Sequence, residues 1–192
     1  MAAEVLIIVG TLVASALSLG SLILRDQQLA REELGRLLSQ ARQLADALGA
    51  GPPRLLPEWG HNAWEIEAER GGLKLLLHLY RLDALHVTVM APGLVPPGVV
   101  IHALTSWRDA PLDLPVSAPL VPLPDHPFAA DYHVSPAGAE PQITAALREA
   151  LARWRGAPVY INASVVRAAG ALTSHDDALA FVDACVALAR HS

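Results

Sequence analysis

The residues in this chain best suited to chemistry are histidines and acids set on short alternating runs. Eight histidines occur in 192 residues, and His78, His86 and His102 fall on three consecutive expected strands. A register that brought the three imidazoles to one face would assemble ligands for Zn, Ni or Cu. Ordinary polar or half-buried strand histidines are the plainer reading, and the spacing favours it. Glu65, Glu67 and Glu69 line one face of a further strand, where they could meet a cation or the arginines of a neighbour. A row of acids two residues apart is more simply a solvated face. His133 with Asp131 or Asp125, and Cys185 with His191, offer pairs for acid-base or nucleophilic work, but nothing signals a third group beside either pair. Cys185 sits on the apolar face of an expected helix, the setting of an inert core thiol.

The motifs of the commonest enzymes are absent: G-x-x-x-x-G-K-[ST], G-x-G-x-x-G after a strand, G-x-S-x-G, H-E-x-x-H and any cysteine pair. No catalytic residue, cofactor or metal ligand is therefore expected. The composition is 53% hydrophobic and 17% charged with a net charge of −5, which excludes a disordered tail and argues against a nucleic-acid partner. A single cysteine excludes a disulfide scaffold.

These residues need elements to position them. Val5 to Leu24 is a run of 20 residues without a charge, and a helix of that length spans about 30 Å, the thickness of a bilayer core. A cleaved secretory signal is one alternative, since Ala14-Ser15-Ala16 fits a small-x-small site, and a buried soluble helix is another. An uncleaved transmembrane anchor over residues 1–25 is favoured, because the segment before the run has no basic side chain and Leu17 to Leu24 continues apolar beyond the site. Within the run, Gly10, Ala14 and Ser18 recur every fourth residue and form a stripe where another membrane helix could approach. Arg25, Arg31, Arg36 and Arg42 all follow the run and none precedes it, which places the C-terminal side in the cytoplasm of a bacterial inner membrane. Outside the anchor about half the residues are still hydrophobic. Usage of 13 Arg against the single Lys74 suggests a GC-rich coding genome that enriches Ala as well.

Residues 26–51 read as an amphipathic juxtamembrane helix with Ala30, Leu34, Leu37, Ala41, Leu44 and Leu48 on one stripe, stopped by Gly49, Gly51, Pro52 and Pro53. Residues 52–192 then form a single α+β domain. Trp64, Ile66 and Ala68 alternate with glutamates, Gly71-Gly72 makes a hairpin turn, and Leu73, Leu75, Leu77 and Leu79 alternate on the return. Leu85, Val87 and Val89 give a third strand. Val99, Ile101 and Ala103 give a fourth, which completes an antiparallel β-meander. Six prolines between Pro111 and Pro127 forbid a central strand or helix there and favour an extended segment over the sheet. Phe128 to Val134 is a further strand. A helix over Glu140 to Arg155, with Ile143, Ala146, Leu147, Ala150, Leu151 and Trp154 on one face, is followed by a hairpin from Pro158–Asn162 and Val165–Ala169. A last helix, capped by Ser174, carries Ala178, Phe181, Val182, Cys185, Leu188 and Ala189 on one face. The ending is thus helix-hairpin-helix.

The segments WEIEAERGGLKLLLHLYRLDALHVTV, HPFAADYHV, LREALARWRGAPVYINASVVRAAG and DDALAFVDACVALAR, behind an N-terminal anchor, resemble uncharacterised membrane-anchored proteins from GC-rich, myxobacterial-type genomes. The resemblance implies location and architecture rather than an activity, and in those proteins an acidic-Pro-Phe-Asp strand stands where this chain has Asp125-His126-Pro127-Phe128-Ala129. The function expected is a membrane-anchored, non-catalytic interaction or assembly module, in contact with the lipid bilayer and with a protein partner or itself. The alternative is a membrane-tethered enzyme or ligand or metal sensor using the His/Glu face. The orientation is testable by fusing reporters to Ser192: a reporter active only in the cytoplasm is expected to give signal, and strong signal from one active only outside would reverse the assignment.

Overall fold

The computed structural model describes residues 25, 27–56, 63–81, 84–103, 121–122, 132–136, 138–154, 158–171 and 174–190. The expected anchor, with Gly10, Ala14 and Ser18, and most of the proline-rich segment lie outside the described residues. Among the described residues, no helix is long and apolar enough to cross a membrane. What the structure shows is an α+β domain in which helices cover one antiparallel sheet.

The first helix, α1 (residues 27–48), follows the expected stripe only over its second half. Leu37, Ala41, Leu44, Ala45 and Leu48 are buried in the common core, so this helix is built into the domain. Leu34 is only half-buried and Ala30 is exposed, because the helix has run past the edge of its packing surface by then. Not one residue from 27 to 36 is buried, and Leu29 is 54% exposed.

Nine strands make the sheet: β1 (Arg54–Leu56), β2 (Ala63–Arg70), β3 (Leu73–Arg81), β4 (Ala84–Met90), β5 (Val100–Ala103), β6 (Val121–Pro122), β7 (Tyr132–Ser135), β8 (Val159–Ile161) and β9 (Val165–Ala171). Period-two alternation over 63–90 produces the expected meander of β2, β3 and β4. Gly71 and Gly72 both take positive φ, 60° and 80°, which the two-residue turn between β2 and β3 requires and a side chain would resist. The meander does not continue into β5 as the sequence suggested. The order is β1-β2-β3-β4-β9-β8-β5-β7-β6, so the C-terminal hairpin separates the expected third and fourth strands.

The reason lies in the β4–β5 connection and in the hairpin itself. Residues 91–99 contain three prolines and make a longer connection than a two-residue hairpin turn between β4 and β5. The open edge of β4 instead pairs with β9 along its whole length, from Ala84↔Ala171 to Met90↔Val165. The Asn162 side chain closes the β8–β9 turn by accepting from the amides of Ser164 and Val165, each at 2.9 Å. The turn in turn holds the β4–β5 connection, whose Ala91 and Gly93 amides donate to the carbonyls of Ser164 and Ala163.

Alternation divides the sheet into two faces. Ile66, Leu75, Leu77, Leu79, Leu85, Val87, Val89, Val166, Ala168, Val159, Ile161, Ile101 and Val134 lie on the inner face and join one core with α1, α2 (Ala145–Arg153) and α3 (His175–Ala189). Helix α2 begins later than the sequence suggested. Thr144 caps it by accepting from the Leu147 amide at 3.2 Å, and a 3₁₀ turn at Glu140–Gln142 precedes it. Leu147, Ala150 and Leu151 are buried as expected, whereas Ala146 falls on the solvent side. Ser174 caps α3 by accepting from Asp177 at 3.1 Å, and Ala178, Val182, Cys185, Val186, Leu188 and Ala189 are buried. The far side of α3 is clipped to the β2–β3 turn: the Arg70 guanidinium holds the Asp183 carboxylate, and Arg190 donates to the Gly71 carbonyl at 2.9 Å.

Helix α3 lies so close to β9 that a Cβ on Gly170 would stand 2.9 Å from the Phe181 ring. Gly170→Val is expected to destabilise the fold by about 1–3 kcal/mol, read by urea unfolding followed by tryptophan fluorescence. Phe181→Ala in the same background should recover part of that loss; equal losses with and without the ring would contradict the contact.

Candidate functional site

The outer face of the sheet carries the titratable groups that the sequence singled out, and strand register places them in two rows. In the first row Arg54, Glu65, His78, His86 and Ala169 are successive cross-strand partners from β1 through β2, β3 and β4 to β9. In the second, two residues along each strand, Glu67, Leu76, Thr88, Arg167, Tyr160, His102 and His133 follow one another from β2 to β7.

Register therefore decides the expected histidine cluster. His78 and His86 face each other across β3 and β4. His102 lies on β5, three ladder steps beyond β4, which at about 4.8 Å per step is roughly 14 Å from His86. The three do not converge, and among the described residues no group of three His, Cys, Asp or Glu side chains is arranged to hold a metal ion. Two of the three glutamates behave as expected of a solvated face. Glu67 and Glu69 are exposed, but Glu65 is only 7% exposed.

Glu65 is buried because both its oxygens are occupied. Oε1 accepts from the Arg54 guanidinium, and Oε2 lies 3.0 Å from His78 Nε2. Burial works to raise the carboxyl, but the hydrogen bonds to His78 and Arg54 outweigh it and hold the group below its ordinary 4.5. Without those partners a carboxylate in this position would be strongly destabilising. Beside them, Tyr80 packs edge-on to His78 and His86, with ring centroids 5.8 and 4.8 Å away. Burial, and then the Glu65 charge, push its phenol above 10.0.

His86 is 8% exposed, and its Nδ1 finds no hydrogen-bond partner among the described residues. Burial, helped by the neighbouring His78, pushes it from 6.5 down to about 4. Arg167 Nε in the second row is likewise cut off from solvent without a partner. Tyr160 is buried beside it and takes a 3.4 Å contact from Asn162 Nδ2.

Chemically, the first row is a carboxylate holding one nitrogen of an imidazole, which leaves the other nitrogen to take or give a proton. Arg54 was missed because Arg54–Leu56 is too short to show alternation. Arg167 and Tyr160 were legible in principle: each is the polar residue of an otherwise apolar strand, at the outward-facing position. Cys185 is fully buried and burial pushes its thiol up, as expected of an inert core residue. His191, Asp125 and Asp131 lie outside the described residues, so the pairs expected with Cys185 and His133 fall there too.

No family model matches the chain, and no curated protein does. Among solved structures the chain is similar to the mycobacterial trehalose monomycolate transport factor A, TtfA, with a TM-score of 0.55 and 12% identity over 81% of this chain and 91% of that one. At that identity the likeness shows a shared fold.

A pH dependence follows from the buried row. His86 binds its proton at about 4 in the folded chain but at 6.5 when unfolded, so its contribution to stability is complete above 6.5 and is lost as the pH falls toward 4. Glu65 adds a further loss below its ordinary 4.5. Acidification from pH 7 to 4.5 should cost on the order of 2 kcal/mol through His86 after allowance for partial solvation, measured by urea unfolding at each pH. His86→Gln should flatten that part of the profile; an unchanged profile would remove His86 as its source.

Proposed function

We propose that this chain is a membrane-anchored, non-catalytic module that holds its α+β domain at the cytoplasmic face of a bacterial inner membrane and binds a protein partner within a larger assembly. The observation that carries this reading is the first half of α1. From residue 27 to 36 no residue is buried and only Leu34 is half-covered, and a short helix with so little packed surface is marginal in water by itself. It follows directly on the uncharged run Val5 to Leu24. A helix continuing out of the bilayer would supply the missing support and set the domain about 15 Å from the membrane surface. Glu32 and Glu33 stand four and three residues before Arg36, a spacing that favours such a solvated stalk.

Two further observations support the binding half of the reading. The structural neighbour is named a transport factor, a title compatible with a non-catalytic module on this fold. The outer face of the sheet meanwhile carries the two polar rows rather than the helical core. A ligand-sensing role for that face is the second reading, favoured by the buried Glu65–His78 pair.

Alkaline extraction of cell membranes should leave the full chain in the pellet, and gentle detergent extraction with affinity purification should recover a stoichiometric protein companion. Release into the alkaline supernatant would contradict the anchor. A monodisperse monomer without a companion would contradict the assembly.

A further inference from the structure

The outer face holds one complete arginine–carboxylate–histidine set and one that lacks its carboxylate. In the complete set, Arg54 and His78 hold Glu65 between them across three strands. On the neighbouring strands β4 and β9, Thr88 pairs with Arg167 and His86 with Ala169. Arg167 is therefore the diagonal neighbour of His86 on the same face, with Cβ atoms about 7 Å apart, within reach of a long side chain. Among the described residues no carboxylate pairs with Arg167, and neither its Nε nor His86 Nδ1 has a hydrogen-bond partner. His86 is more than nine-tenths buried. Buried polar atoms are nearly always paired, so two orphans side by side point to a missing acceptor.

We propose that Arg167 and His86 form a binding site for a carboxylate, supplied by a ligand or by an acidic side chain of a partner protein. The planar guanidinium fork matches the two oxygens of a carboxylate. The Nδ1–H tautomer of His86 supplies the second donor. A singly charged group suits the site, because Arg167 supplies its one fixed positive charge. Thr88 and Tyr160 flank Arg167 in the same row. The site does not depend on the membrane anchor.

The test is nuclear magnetic resonance of the full chain in detergent micelles with isotope-labelled histidine. Sodium acetate is titrated against sodium chloride at equal ionic strength, with a blocked glutamate dipeptide as a second arm. The His86 ring signals are expected to shift saturably with acetate and not with chloride, and Arg167→Gln should raise the acetate midpoint at least about tenfold while leaving the His78 signals in place. Tighter binding of the dipeptide than of acetate assigns the carboxylate to a protein side chain; equal or weaker binding assigns it to a small acid. Chloride-like, non-saturating shifts in the wild-type chain overturn the proposal even if the variant fails to fold. An unchanged midpoint in Arg167→Gln overturns it as well.

Discussion

Everything in this domain hangs on the pairing of β9 with β4. The seven-residue ladder from Ala84↔Ala171 to Met90↔Val165 is the seam between the N-terminal strands β1 to β4 and the group formed by β8, β5, β7 and β6. Among the described residues no other strand pairing joins the two groups, and without it the inner face on which α3 rests has no centre. Because the seam joins residues more than seventy positions apart, the sheet cannot close until nearly the whole domain has been made. Such non-local pairing is slow to form and hard to replace. Gly170 and Phe181 tie the same seam to α3, and the Asn162 turn ties it to the β4–β5 connection.

The seam also continues the outer face from His86 on β4 to Arg167 on β9. The inner face is apolar throughout its buried core and gains its stability from burial. The outer face spends part of that stability on polar groups that need partners. Glu65 has two, whereas His86 and Arg167 each leave a buried atom unmet. A sheet that only had to fold would place aliphatic residues at these positions, as it does at Val165 and Ala169 beside them. Retaining an arginine and a histidine there is physically reasonable when something outside the described residues completes them.

Much of this was legible where the pattern is local. Alternation from Trp64 to Val89 placed three strands and assigned their faces, Gly71-Gly72 announced the turn, and Ser174 marked the start of α3 because a hydroxyl before Asp176 and Asp177 has one favourable use. Pairing was less accessible. A strand whose free edge could accept either β5 or β9 looks the same in sequence, so the pattern does not separate His102 from His78 and His86 although it lies three strands beyond β4. Burial of Glu65 was equally hidden, because it depends on Arg54 from a three-residue strand and on His78 from the next. Ile143 continues the apolar pattern of α2 beyond its start, although Pro141 and the capping Thr144 identify where the helix begins. The stripe on α1 extends to Ala30, yet how far a stripe is covered depends on the partner's edge rather than on the helix.

Native-state hydrogen exchange resolved by residue tests the seam most directly. The amides of Val165 to Ala171 that bond to β4 should be among the slowest in the chain and open only with global unfolding, whereas residues 27–36 should exchange quickly. Amides of β9 exchanging as fast as those of the edge strand β1 would mean that the hairpin is an appendage. The division of the sheet into a closed inner face and a continuous outer row would then fail with it.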